Sequence, residues 1–344
     1  MKVQAVVFPA ENQIEIRDVE LAEVQKNQIR TETLYSFVSP GSELRTLAGH
    51  YGANKHFPII PGYSVVSRVA EVGPDVHGFK VGDLISNRIC GGFVGVTPHW
   101  GGEAGGHVFD PYKESELITP VILPPEARKN PLPYAAVEVA SISYRGMTSA
   151  NPQPGEHAVV IGQGTIGAFT AEFLRMKGCL VTVCDINESR LANARSKGFE
   201  CVALSEDDSE DRLRLFGYRG FDIVAECSGS VPGFKLAAKL IRRDPPDIMR
   251  RTRQDWPRLL LQANYVDEIP LNPCWFFPGE GMTLLAPSDR SKDDRMQVTD
   301  LIRRGIFDPS GYVENVFKPE EMPEAYRKLQ NREITSAVCK WRDF

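Results

Sequence analysis

The sequence predicts an α/β protein in which a doubly wound parallel sheet is inserted into a second, β-rich domain. Three observations carry this. From His157 onward, short apolar strands alternate with helical patterns, which implies parallel strands joined by crossover helices. Up to about Glu126 the chain is instead a series of short apolar runs broken by Gly and Pro, the mark of short strands and tight turns. At 344 residues the chain is also longer than one ordinary domain.

In order, the β-rich part is read from Val3–Phe8, Ile59–Ile60, Ser64–Val72 and Leu84–Ile85, with breaks at Pro40-Gly41, Pro61-Gly62, Gly73-Pro74 and Val81-Gly82-Asp83. Glycine is dense between Ile89 and Val108, which predicts a long loop or lobe. Leu132–Ala150 carries Ala135, Ala136, Val139, Ile142 and Met147 at helical spacing and leads into the next domain. There follow a strand at His157–Ile161, a helix at Thr165–Lys177, a strand at Leu180–Cys184 and a helix at Ser189–Lys197. Cys201–Leu204, Asp222–Glu226, Arg258–Gln262 and Thr283–Ala286 are further strand candidates, the last a candidate sheet edge beside Pro278, Gly279 and Gly281. Leu240–Arg258 holds Arg242, Arg243, Arg250, Arg251 and Arg253 around Pro245-Pro246, and reads as a solvated helix-loop or a phosphate-binding patch. The tail predicts helices at Lys292–Arg304 and Glu320–Gln330 and a strand at Ala337–Lys340. The expected domains are 1–127, 128–289 and a return segment, 290–344, that completes the first.

Composition narrows the function. With 42% hydrophobic and 25% charged residues a sizeable core is available. A formal net charge of −5 speaks against nucleic acid or an anionic membrane as partner. No apolar run reaches the roughly 18–20 residues of a membrane span, and the start, Met1–Phe8, reads as a strand rather than a signal peptide. Seven scattered cysteines without a Cys-x-x-Cys pair read as reduced thiols, so a cytoplasmic location is expected.

The sharpest motif is Gly162-Gln163-Gly164-Thr165-Ile166-Gly167, between a predicted strand and a predicted helix, with Asp185 ending the next strand 18 residues beyond Gly167. That is the context of a Rossmann dinucleotide site. Gly162 allows the turn, Gly164 lets backbone approach the pyrophosphate, and Gly167 permits close helix–strand packing. Thr165 and Ile166 open the helix, whose first N–H groups and partial positive charge suit a diphosphate. Asp185 would accept hydrogen bonds from the adenosine ribose and repel a 2′-phosphate, so the expected cofactor is NAD. Cys227 and Ser228, at the carboxyl end of a later strand, are candidates for the nicotinamide side or ordinary packing.

The order of parts resembles the medium-chain dehydrogenase/reductase superfamily of the zinc alcohol dehydrogenase type. The likeness covers essentially the whole chain and rests on Pro61-Gly62-Tyr63 leading into Val65–Gly73, then Val81-Gly82-Asp83, and Pro154-Gly155-Glu156 before the first Rossmann strand. It implies a GroES-like substrate domain around the Rossmann domain, an NAD-dependent oxidoreductase acting on an alcohol or ketone, and a homodimer or homotetramer. The Ser39-Pro40-Gly41-Ser42-Glu43 run, Pro-Gly-Tyr and the Val338-Cys339-Lys340-Trp341 ending are similar to a divergent branch with sugar, cyclitol and bacteriochlorophyllide dehydrogenases.

Matched to the zinc members, the Cys ligand position is Pro40, the His-Glu pair is Tyr63-Ser64, and only Glu138 keeps a ligand-type side chain. Catalytic zinc needs about three protein ligands, so no metal is expected at this site. His99, Glu103 and His107 are spaced four apart, but Gly101, Gly102, Gly105 and Gly106 argue against a helix that would align them. Without a metal, protein groups must take the hydroxyl proton and hold the oxygen. The candidates are Tyr63 and Glu138 at the substrate oxygen, Ser42 as relay and Glu43 as an acid orienting its neighbours. His50, Tyr51 and Trp100 are secondary pocket candidates. A sugar-like or polyol alcohol dehydrogenase is the first reading. Two others stay open: a zinc-independent quinone or enoyl reductase, and a dinucleotide-binding protein without hydride chemistry.

Overall fold

The computed structural model describes residues 1–88, 90–113, 119–204, 209–217, 219–242, 256–269, 271, 281–288 and 290–344. It divides into two compact units, Met1–Ser141 with Arg290–Phe344, and Ile142–Asp289.

The first unit begins with β1 (Lys2–Val7), β2 (Glu15–Glu20) and β3 (Ile29–Val38), followed by helix α1 (Pro40–Leu47). Then come β4 (Ile59–Ile60), β5 (Val65–Val72), β6 (Leu84–Asn87), β7 (Thr97–Pro98), β8 (Gly106–Phe109) and β9 (Val121–Ile122). Its β1 shows how period-two patterning builds the core. Val6 and Phe8 enter a cluster with Val38, Leu47, Met322 and Tyr326, while Ala5 and Val7 enter another with Val19, Ile60 and Ala104.

A short 3-10 turn, Leu132–Ala136, precedes α2 (Val137–Ala150), where a single helix was expected over Leu132–Ala150. Pro131 and Pro133 remove two backbone donors, and the shorter-pitch turn is the result. The turn packs on β3 and β5, and Ser64 Oγ donates to the Ala135 carbonyl at 2.6 Å. Residues 128–141 therefore fold with the first unit, and the unit boundary falls inside α2 rather than at 127.

The second unit continues with β10 (His157–Ile161), α3 (Thr165–Met176), β11 (Leu180–Asp185), α4 (Glu188–Ser196), β12 (Glu200–Ala203), α5 (Ser209–Phe216), β13 (Ile223–Glu226) and α6 (Val231–Leu240). It closes with β14 (Arg258–Leu261) and β15 (Thr283–Leu285). All six strands run parallel in the order β12-β11-β10-β13-β14-β15. This is the doubly wound 3-2-1-4-5-6 order, with its switch point between β10 and β13. Of the basic Leu240–Arg258 segment, residues 243–255 lie outside the described residues, as do Cys274, Pro278 and Gly279. Its two described arginines are paired, Arg242 with Asp222 at 2.8 Å and Arg258 with Glu156.

The return segment adds α7 (Lys292–Arg303), β16 (Val316–Phe317), α8 (Met322–Gln330) and β17 (Ala337–Lys340) to the first unit. Its seven-stranded sheet runs β16-β17-β3-β5-β6-β9, with β8 also on β3. Among the described residues no helix is long and apolar enough to cross a membrane.

Candidate active site and dinucleotide cradle

In the second unit the glycine turn leaves β10 and enters α3. Gly162 has φ of +90°, which favours glycine, and Gly167 lies so close to the Gly162 carbonyl that a Cβ there would stand 1.8 Å from its oxygen. Gly164 is different: a Cβ would meet nothing within 4 Å. It is the N-cap of α3 and no side chain caps the helix, so the first N–H groups open on that space. The Thr165 hydroxyl there is buried without a hydrogen-bond partner. An anionic group fits such a cradle, and the residues present suit a pyrophosphate. The Ile166 carbonyl accepts from Ser143 Oγ at 2.9 Å.

Asp185 is turned onto this loop. Its Oδ2 accepts the Gln163 N–H at 2.6 Å and its Oδ1 the Asn187 N–H at 2.8 Å. Arg190 Nη1 stands 3.6 Å from Oδ2, a cation that spacing alone did not disclose. Cys227 packs under the loop, its Cβ 3.2 Å from the place a Gly167 Cβ would take, and burial pushes its thiol up. Ser228 donates to Glu226 and lies 2.8 Å from Ser230 Oγ. Glu226 is the residue sequence reasoning missed. Fully buried at the end of β13, it gathers the Ser228 N–H at 2.9 Å, the Gly229 N–H at 3.1 Å and the Tyr265 hydroxyl. Burial, with Glu226 beside it, raises the Tyr265 phenol.

The first unit brings the other candidates together. Tyr63, 5% exposed, has its hydroxyl 2.7 Å from Ser39 Oγ and 3.5 Å from Ser42 Oγ. Ser39 N–H donates to Glu43 Oε1 at 2.7 Å, and Tyr326 donates to Glu43 Oε2 at 2.5 Å. Burial pushes the Glu43 carboxyl up to about 7, against the pull of these two donors. Trp100 meets the Tyr63 ring edge-on with centroids 5.2 Å apart, and touches His99 and the exposed Tyr51 in the same manner. Trp100 and Tyr51 both sit at positive φ, +68° and +57°, a costly backbone for bulky residues. His50, beside Tyr51, is exposed.

Glu138 is fully buried, but it is not an open carboxylate. Arg290 reaches Oε2 through Nε at 3.2 Å and Nη2 at 3.1 Å, and Arg295 Nη1 reaches Oε1 at 3.2 Å. Ser86 Oγ adds a long contact of 3.4 Å. Such a setting suits an anchor better than the proton acceptor expected from burial alone. The arginine carbon Cζ of Arg290 lies 5.0 Å from the Tyr63 ring centroid. The His99–Glu103–His107 spacing does not fall on a helix, since His107 is in β8 and the other two are in the preceding loop. Glu103 accepts from Ser36 Oγ at 2.7 Å and burial holds its carboxyl well above its usual range, while burial takes His107 down to about 3. Among the described residues no three His, Cys, Asp or Glu side chains are grouped to hold a metal ion.

Comparisons with known proteins agree on the kind of chain this is. The alcohol dehydrogenase GroES-like domain model matches residues 34–108, and the zinc-binding dehydrogenase model matches residues 165–244. The sorbitol dehydrogenase of Halalkalibacterium halodurans is 27% identical over 237 residues, 63% of this chain and 67% of its own. The D-altritol 5-dehydrogenase of Agrobacterium fabrum is 32% identical over 210 residues, 56% of this chain and 59% of its own. The alcohol dehydrogenase of Thermus sp. ATN1 shares the fold with a TM-score of 0.81 at 20% identity, over 98% of this chain and all of that one.

Proposed function

We propose that this chain, which belongs to the medium-chain, zinc alcohol dehydrogenase-like superfamily, moves hydride between NAD and a secondary alcohol or ketone of sugar or polyol type, with Tyr63 in place of a metal at the substrate oxygen. The observation that carries the reading is the pairing seen at the superfamily's ligand positions. Glu138 is engaged by two guanidiniums, Pro40 has no donor atom, and the Tyr63 hydroxyl is joined to Ser39 and Ser42. These residues do not fit a zinc ion.

A bound nicotinamide would supply or accept the hydride. The chain's own residues handle the proton. In reduction Tyr63 gives its hydroxyl proton to the substrate oxygen and regains one through the Ser39 and Ser42 hydroxyls; in oxidation the same path runs backward. Glu43 holds the turn carrying Ser39 and so positions that hydroxyl. NAD is favoured over NADP by Asp185, with Arg190 as the opposing charge. The aromatic run Tyr63–Trp100–Tyr51 supports a ring or carbon-chain face as the surface recognised, in line with the polyol names of the relatives. The terminal position of β15, with Leu284 exposed, supports association of two copies through that edge.

The test is metal content of protein purified without added metal, NADH and NADPH titrations, and turnover of a polyol and ketone panel by the wild type and Tyr63→Phe. We expect negligible zinc, tighter NADH, and a loss of about 10²–10⁴ in kcat for the variant. Stoichiometric zinc, or full activity in Tyr63→Phe, would sink the reading.

A further inference from the structure

Arg290 and Arg295 flank the start of α7. That start is fixed by a capping box in which Ser291 Oγ accepts the Asp294 N–H at 3.1 Å and Asp294 Oδ2 accepts the Ser291 N–H at 2.7 Å. Arg295 lies in the first turn, wholly buried, and holds one oxygen of Glu138. Arg290 lies one residue before the cap. Its side chain is 4% exposed, and two of its nitrogens close on the other oxygen. A carboxylate gripped from both sides, on a helix at one end and a capped helix start at the other, leaves the Arg290 guanidinium little freedom. The place where it is held is beside the Tyr63 ring, at 5.0 Å.

We infer that Arg290 supplies, next to the substrate oxygen, the fixed positive charge that a metal supplies in the zinc-dependent members of the superfamily. The inference rests on the reading of Tyr63 as the group that exchanges the substrate's proton. When hydride adds to the carbonyl carbon, the π electron pair moves onto oxygen, which becomes negative until the Tyr63 proton arrives. A cation already in position stabilises that charge without reorganising. In oxidation the same cation favours release of the hydroxyl proton to Tyr63. Glu138 and Arg295 are positioning residues: they keep Arg290 in place and touch no substrate. The two guanidiniums thus occupy at Glu138 the place that a metal cation would otherwise fill.

The experiment uses acetate, a carboxylate small enough to reach the place of a substrate oxygen, titrated by calorimetry into the NAD-saturated protein. Acetate is expected to bind the wild type and to bind Arg290→Gln at least ~10-fold more weakly, the loss of one charge-assisted hydrogen bond. NADH affinity is expected to stay within about twofold, since the substitution leaves the second unit untouched, and kcat to fall about 10²-fold. Absence of acetate binding in the wild type, or equal affinity in Arg290→Gln, overturns the inference. Should Arg290→Gln fail to fold, the Arg290 Nε–H resonance of the wild type, assigned through Arg290→Lys, must move on acetate addition; a resonance that stays put overturns it equally. Arg290-dependent acetate binding with no turnover of any alcohol or ketone would overturn the dehydrogenase reading and with it the oxyanion role, whereas turnover by the wild type with equal acetate affinity in Arg290→Gln would overturn the inference alone.

Discussion

Glu43 offers the most quantitative check on the first unit. Its carboxyl is fully buried and is pushed from 4.5 in the unfolded chain to about 7 in the folded one, chiefly by desolvation. The folded value is the higher one, so the native state binds the extra proton between these limits. The contribution to stability is complete below about 4.5 and is lost as pH rises through about 7. With one pKa unit equal to about 1.4 kcal/mol, the full loss across that window is about 3.5 kcal/mol. Glu43→Gln cannot ionise, yet it keeps a carbonyl oxygen to accept from Tyr326 or Ser39. Urea unfolding of both proteins at pH 5, 6, 7 and 8, followed by fluorescence, gives the difference at each pH. The buried Glu103 carboxyl, raised in part by the Glu43 charge, titrates with it, so the difference reads the pair rather than Glu43 alone. We expect the wild type to lose about 2.5 kcal/mol relative to Glu43→Gln between pH 5 and 8, the rest of the window lying below pH 5. A difference that does not change with pH would refute the argument, because it would mean the ionised carboxylate is as well tolerated in the fold as the acid.

The glycine turn makes a paired prediction. Gly164→Val enters empty space, so the melting temperature should hold within a few degrees while NADH affinity falls at least ~10-fold; Gly167→Ala, whose Cβ would stand 1.8 Å from the Gly162 oxygen, should lower the melting temperature sharply. Equal thermal effects in the two variants would count against the cradle as built. Asp185→Asn keeps one oxygen to accept from either the Gln163 or the Asn187 N–H but removes the charge facing a 2′-phosphate, with Arg190 left beside it. Fluorescence titrations should then show the NADH preference reduced about 10-fold, and an unchanged ratio of the two dissociation constants would dismiss Asp185 as the discriminating group.

The second unit was the more legible part of the sequence, for a physical reason. Its central strands β10 and β13 are buried almost throughout and its helices are local, so β10 is read at His157–Ile161 and α3 within a residue of its end. The glycine turn is a local signal as well, since its demands are met within six residues. The candidate site of the first unit is built otherwise. Glu138 is conspicuous at its position, but its partners lie 152 and 157 residues away in sequence, and nothing in the chain near Arg290 or Arg295 points back to it. Tyr326 and Glu43 are likewise joined across 283 residues. Glu226 escaped notice because a carboxylate ending a strand has no signature until Tyr265 and the Ser228–Gly229 amides fold around it. Glu103 and His107 were noticed for their spacing, and their setting is one of burial against strand neighbours.

The two units are unequal in how their chain is laid out. The parallel sheet is made from one uninterrupted stretch, whereas the first unit seats β17 between β16 and β3, so its sheet includes a strand from the last eight residues. During synthesis the inserted unit is complete while the final fifty-five residues are still to be added. Until those emerge, β3 lacks the neighbour it has in the finished sheet, Glu43 lacks Tyr326, and Glu138 lacks both guanidiniums. The parallel sheet can therefore be complete before the first unit's sheet, and a ribosome that stalls before the return segment emerges leaves β3 with an open edge, Glu43 short of its Tyr326 donor and Glu138 without its guanidiniums.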